Sequence, residues 1–203
     1  MSAVPEATSV AVRWIARRDG MDLAVRAAGP AGLGSVILKP HDAKLIDGVR
    51  IAPFDLWPDD RGYFLEVARL AAAGSATPGD HLAEGFANTQ VSATLSYPGT
   101  IKALHYHCKQ TDLWTPVRGM IQVVLYDLRV ESRTFGCTNT MYIGALRPWK
   151  LRIPPGVGHG YKVLGNEPAM LVYLTNCFYD PADEGRIPYD HPDINYDWEL
   201  QHK

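Results

Sequence analysis

Residues 99–119, GTIKALHYHCKQTDLWTPVRG, read as two β-strands joined by a short loop. Successive side chains of a strand point to opposite faces. His105 and His107 therefore share one face with Ala103, while Leu104 and Tyr106 share the other. Two imidazoles side by side on one strand face serve packing poorly. They mark a pocket wall where a histidine moves protons or holds a metal ion.

Outward from this stretch, short strands recur with Gly, Pro and Asn between them: 88–95, 100–106, 113–117, 120–128, 140–146, 149–153, 158–163 and 169–176. Close spacing without a long helical period argues an all-β sandwich or barrel. Upstream, an apolar run and a Pro/Asp turn at 57–60 lead into RGYFLEV. Alternation there puts Arg61, Tyr63 and Leu65 on one face and Gly62, Phe64 and Glu66 on the other. Residues 71–87, rich in Ala and Gly, read as a small helix or loop. The Asp/Pro-rich, aromatic segment 179–203 reads as an arm with one or two helical turns.

Residues 1–43 stand apart as an N-terminal extension, with 44–203 as the main domain. Within the extension, 9–28 fits either one short amphipathic helix, weakened by Gly20, or a pair of strands. It packs on the domain or on a partner subunit, or stays a partly ordered tail.

The 203 residues are 46% hydrophobic, enough for a full core. A net charge of −2 argues against nucleic acid and anionic membrane surfaces as partners. Any anionic ligand must be held by a few placed Arg and Lys. Three widely spaced cysteines, with no CxxC, argue against a zinc ribbon or a disulfide framework. No stretch of ~18 apolar residues is present, and Arg17-Arg18 lacks the hydrophobic segment of an export signal. The chain reads as cytoplasmic.

Two spacings carry chemistry. Gly99-x5-His105-x-His107-x4-Asp112-x6-Gly119 resembles the first motif of the cupin superfamily, with Asp where Glu is usual, and Pro154-x-Gly156-x2-His159 resembles the second. The resemblance implies a jelly-roll barrel inside which His105, His107, Asp112 and His159 converge. Three imidazoles and a carboxylate suit a divalent transition metal.

LHYH, SRTFG, IPPGVGHGY, VYLTNCFYDP and DDRGYFLE together resemble the dTDP-4-dehydrorhamnose 3,5-epimerase family over about residues 44–198. That resemblance implies a cupin-fold isomerase acting on a nucleotide-diphosphate sugar, working without cofactor as a homodimer. Such enzymes remove a proton α to a C4 ketone, stabilise the enolate and reprotonate on the other ring face. On the matching positions, His105 is the base, Tyr173 the acid, and Lys102 the enolate or diphosphate partner, where the family has Arg. Arg61 and Glu66 match nucleotide contacts, Phe64 belongs to the same end, and Phe178 is placed to stack on the base. Gln90 and His159 match polar residues of the cavity.

Three departures from the family stand out. Family members usually have Gln at His107 and Lys at Asp112, and an Asp after the final Trp that orients the catalytic His. Only five residues follow Trp198, and none is Asp. Asp112, Asp183 or Glu184 are the available substitutes. Three readings stay open: a metal-free epimerase, a metal-dependent cupin enzyme with the four ligands above, and a non-catalytic sugar-nucleotide-binding homologue.

Overall fold

The computed structural model describes residues 11–71 and 80–202. Among them run β1 (Val12–Arg18), β2 (Met21–Arg26), β3 (Ser35–Val36), β4 (Arg50–Pro53), β5 (Leu56–Asp59), β6 (Gly62–Leu65), β7 (Gln90–Ser96) and β8 (Ile101–His107). They continue with β9 (Asp112–Arg118), β10 (Met120–Asp127), β11 (Thr138–Gly144), β12 (Trp149–Ile153), β13 (Val157–Leu164), β14 (Ala169–Thr175) and β15 (Glu184–Arg186). Each strand read between 88 and 176 forms, its ends shifted by at most two residues.

Two sheets face each other as a jelly roll. One has the order β15-β8-β13-β10-β11-β3, the other β4-β12-β9-β14-β7. Alternation sorts the side chains. Ile121, Val123 and Leu125 of β10 point inward onto Met141, Ile143 and Leu151. Val124 and Tyr126 point outward into a second apolar cluster. The inner apolar residues close the β10–β12 side of the sandwich. Polar ones collect where β8, β13 and β15 face β7, β9 and β14.

From residue 11 onward the 9–28 stretch of the extension forms a pair of strands, residues 1–10 lying outside the described residues. Asp19 and Gly20 both have positive φ, 52° and 76°, and make the tight turn between β1 and β2. Two positive-φ residues match the twist of a hairpin and stop a helix. Leu23 and Val25 pack on Leu104 and Tyr106, on the outer face of the six-stranded sheet. Burying each such side chain is worth roughly 1.5–3 kcal/mol. Arg18 donates to Ala182 O at 2.6 Å, Lys109 pairs with Asp19 at 3.1 Å, and Asp193 accepts from Ala28 N–H at 3.0 Å. The hairpin thus ties the arm after residue 179 to the barrel.

That arm holds one isolated helical turn, at 191–195, where the Ile194 and Asn195 N–H groups both donate to His191 O at 3.1 and 2.9 Å, and no longer helix among the described residues. Pro181, Pro188 and Pro192 punctuate it, and proline disfavours helix interiors. Before that turn its backbone bonds go to the sheet: Leu104 and Ile187 exchange N–H···O bonds of 3.0 and 2.9 Å, and Glu184–Arg186 add an edge strand to β8. Of the 71–87 segment, 72–79 lie outside the described residues. His81–Ala83 is a single 3-10 turn, capped by the Asp80 carboxylate accepting from Leu82 N–H.

Tyr196 anchors the arm's far end, its hydroxyl 2.6 Å from Gln122 Nε2 and 2.8 Å from Thr140 Oγ1. Burial pushes its hydroxyl up to about 12. Above pH ~10 an unfolded chain releases this proton while the folded chain keeps it, so stability falls as pH rises from about 10 to 12. Tyr196→Phe is expected to flatten that alkaline decline in urea unfolding, at a cost of about 1–2 kcal/mol at neutral pH. An unchanged alkaline slope would contradict the assignment.

Candidate active site

β8 and β13 do not run in simple register. His159 pairs with His105 but Tyr161 pairs with Lys102, so β8 carries one more residue than β13 over this span. Such a bulge re-aims side chains. Ala103 joins Leu104 and Tyr106 in the outer cluster, whereas Lys102, His105 and His107 all line the cavity. Strict alternation had placed Ala103 beside His105. The extra residue puts Lys102 there instead. The kink fits because Gly160 lies against it: a Cβ on Gly160 would meet the Ala103 side chain and would stand 2.6 Å from Lys102 O.

The cavity has a volume of about 260 Å³. The six-stranded sheet supplies Lys102, His105, His107, His159 and Glu184, and the five-stranded sheet supplies Gln90, Thr94, Asp112, Trp114 and Tyr173. His105 and Tyr173 therefore occupy opposite walls. Lys102 Nζ donates to Thr94 Oγ1 across the mouth at 2.6 Å. Gln90 Oε1 accepts from Tyr179 N–H at 3.0 Å, pinning the start of the arm to the rim.

Each carboxylate has a separate task. Asp183 accepts from the backbone N–H groups of Cys108, Lys109 and Gln110 at 3.0–3.3 Å and so fixes the β8–β9 loop. Asp112 accepts from Gln110 Nε2 at 2.6 Å and Trp114 Nε1 at 3.1 Å, and lies 3.5 Å from His159 Nε2. Glu184 enters the cavity from β15, where it pairs in register with His107 while Arg186 pairs with His105.

Burial pushes His105 below its ordinary value and the field of His159 adds to this, while the Glu184 carboxylate works in the opposite direction. Burial alone would raise Glu184, yet its bond to Arg186 and the field of His105 hold it below the usual range. Of the three carboxylates available to replace the missing Asp, Asp183 and Asp112 are committed elsewhere. Glu184 has no such commitment to the β8–β9 loop or to Trp114.

The residues read from sequence divide into two groups. Lys102, His105, Gln90, His159 and Tyr173 meet in this cavity, with His107 and Asp112. Arg61, Phe64, Glu66 and Phe178 do not line it. Arg61 bonds Asp59 at the β5–β6 turn, Glu66 bonds Arg69, and Phe64 and Phe178 are each 67% exposed. Of the four expected metal ligands, His107, Asp112 and His159 bring donor atoms within 4.8 Å of one another, and His105 stands outside that group. Trp114, Tyr161 and Gln110 line the cavity without having been singled out. The alternation Asp112-x-Trp114 and His159-x-Tyr161 is the signal that could have found the first two.

A jelly roll with a histidine and a tyrosine on opposing walls of an inner cavity is the architecture of a cupin-type isomerase. A family model described as dTDP-4-dehydrorhamnose 3,5-epimerase matches residues 43–203, and the chain belongs to that family. It is 45% identical over 159 residues to the spore coat polysaccharide biosynthesis protein SpsL of Bacillus subtilis, covering 77% of this chain and 99% of that one. It is 30% identical over 158 residues to the dTDP-4-dehydrorhamnose 3,5-epimerase of Methanothermobacter thermautotrophicus, covering 77% and 82%. A solved relative is the dTDP-6-deoxy-D-glucose-3,5-epimerase of Legionella pneumophila in complex with dTDP-4-keto-L-rhamnose. Its TM-score is 0.62 at 27% identity, covering 78% of this chain and 82% of that one.

The Gly160 contact makes a directional test. Gly160→Ala is expected to cost about 1–3 kcal/mol and to lower activity by displacing β8. Gly158→Ala is expected to be tolerated, because a Cβ there meets nothing nearer than 3.5 Å. Equal thermal shifts for the two variants would contradict the packing account.

Proposed function

We propose that the chain inverts C3, C5 or both in a nucleotide-linked 4-keto-6-deoxy sugar, with His105 as base and Tyr173 as acid. The observation that supports this is their placement on opposite sheets across one cavity. A sugar ring lying between them presents one face to each. His105 takes the proton from the carbon α to the ketone, and the electron pair moves onto the C4 oxygen as an enolate. The Lys102 ammonium lies on the same wall as His105 and offsets the developing charge. Tyr173 returns a proton to the opposite face, inverting the carbon, and solvent resets both groups. No electrons leave the substrate, so the sequence of steps needs no cofactor. Glu184, whose field acts on His105, takes over the charge-balancing role of the missing Asp.

The nucleotide end extends past this cavity. At about 260 Å³ it is smaller than the ~300–1,000 Å³ of common ligand clefts, a fit for the sugar rather than the whole molecule. Arg61, Phe64 and Glu66 sit on the exposed β5–β6 hairpin, and β7 is a sheet edge with Val91 61% and Leu95 53% exposed. Unpaired apolar edges invite association. We therefore place Arg61, Phe64 and Glu66 at the nucleotide end of a partner copy's cavity in a homodimer. Light scattering that gives a monomer would contradict this. Nucleotide diphosphates do not cross membranes unaided, and the reaction is assigned to the cytoplasm.

The roles of the pair are tested separately. His105→Asn and Tyr173→Phe are each expected to reduce kcat for inversion by about 10²–10⁴-fold. Tyr173→Phe is expected to keep washing solvent deuterium into the α position without inverting it, because the base remains. His105→Asn loses both. Exchange that survives in His105→Asn but vanishes in Tyr173→Phe would reverse the assignment.

A further inference from the structure

The floor of the cavity contains a polar group that the proton-transfer chemistry leaves unused. His159 Nδ1 is 3.0 Å from Val157 O. A carbonyl oxygen only accepts, so Nδ1 carries the hydrogen there and Nε2 of the neutral ring presents a lone pair. That lone pair faces Asp112 Oδ2, an acceptor, at 3.5 Å. Two acceptors turned toward each other in a buried site repel unless a proton, a bridging water or a cation lies between them, and a cation satisfies both lone pairs at once. His107 stacks on His159 with ring centroids 5.5 Å apart, is 6% exposed, and its Nδ1 has no hydrogen-bond partner among the described residues.

We propose that His107, Asp112 and His159 form a binding site for one divalent first-row transition ion, with His105 left outside it. The donor set, two imidazole nitrogens and one carboxylate oxygen, is that of open three-ligand sites for such ions. The Asp112–His159 spacing fits, because two ligands each ~2.1 Å from a tetrahedral ion stand about 3.4 Å apart, and His107 closes onto the ion from slightly further away. The 3.5 Å between Asp112 Oδ2 and His159 Nε2 is such an edge, and all three donors lie within 4.8 Å of one another. The supporting shell is present: Gln110 and Trp114 hold the Asp112 carboxylate, and Val157 O fixes the His159 tautomer. A divalent ion there supplies positive charge on the cavity floor.

The site separates two functions that the sequence had overlaid on His105. His105 and His159 stand with ring centroids 6.5 Å apart, and His105 belongs to the reacting pair. The two assignments can therefore fail independently.

Full-length protein is stripped with chelator and titrated with Co²⁺ alone, following heat and the visible absorption of the bound ion. We expect one ion per chain at micromolar or tighter affinity. His107→Gln and Asp112→Asn are each expected to weaken binding by more than about 10-fold, with circular dichroism unchanged. His105→Asn is expected to bind Co²⁺ as the parent does while losing turnover. Absence of binding to the parent protein overturns the site, as does binding that survives both ligand variants. Loss of binding in His105→Asn overturns the three-ligand assignment. Failure of metal binding with inversion intact would leave the His105–Tyr173 reading standing.

Discussion

The close approach of the Gly160 backbone to the extra residue of β8 is the contact on which the site depends. Without a side chain at 160, Ala103 and the Lys102 carbonyl settle against β13. The kink then turns Lys102 and His105 to the same side of the sheet although they are three residues apart. A regular strand would have sent one of them into the apolar outer cluster. A cation and an imidazole next to each other in one cavity therefore follow from a missing methyl group on the neighbouring strand.

The outer face of β8 is held with equal care. Leu104 and Tyr106 are covered by the β1–β2 hairpin and by Ile187, Ile194 and Tyr196 of the C-terminal arm. Gly185 lets the Tyr106 ring pass under β15, where any Cβ would collide with it. That passage brings Glu184 over the sheet edge into the cavity. The arm is in turn bonded to the hairpin through Arg18 and Asp193. The segment that precedes the family match and the segment that ends the chain thus support the same strand from outside.

Much of this was legible from residue patterns. The strands between 88 and 176 announced themselves by alternation and turn residues, and the LHYH, GHG and VYLTN segments marked the walls of the cavity. What stayed hidden has physical causes. Alternation cannot reveal a bulge, so Ala103 took the place that belongs to Lys102. The Asp19-Gly20 pair fits a hairpin turn and also a helix break, and only the burial of Leu23 and Val25 decides between them. The Asp/Pro-rich, aromatic arm keeps one helical turn at 191–195, and elsewhere its backbone finds partners in β8 and in the hairpin. Arg61, Phe64, Glu66 and Phe178 match nucleotide contacts by resemblance while standing away from the cavity of their own chain, and no pattern along the sequence reports how far the β5–β6 hairpin lies from that cavity.

The central claim is that the two sheets present a base and an acid to opposite faces of one sugar ring. A crystal structure with a nucleotide-linked 4-keto-6-deoxy sugar tests it most directly. The account predicts the ring between the His105 and Tyr173 side chains, its C4 oxygen toward Lys102, and the nucleotide leaving the cavity toward the β5–β6 hairpin of a second copy. A sugar ring bound with both side chains on the same face, or bound outside the space between the sheets, would contradict it.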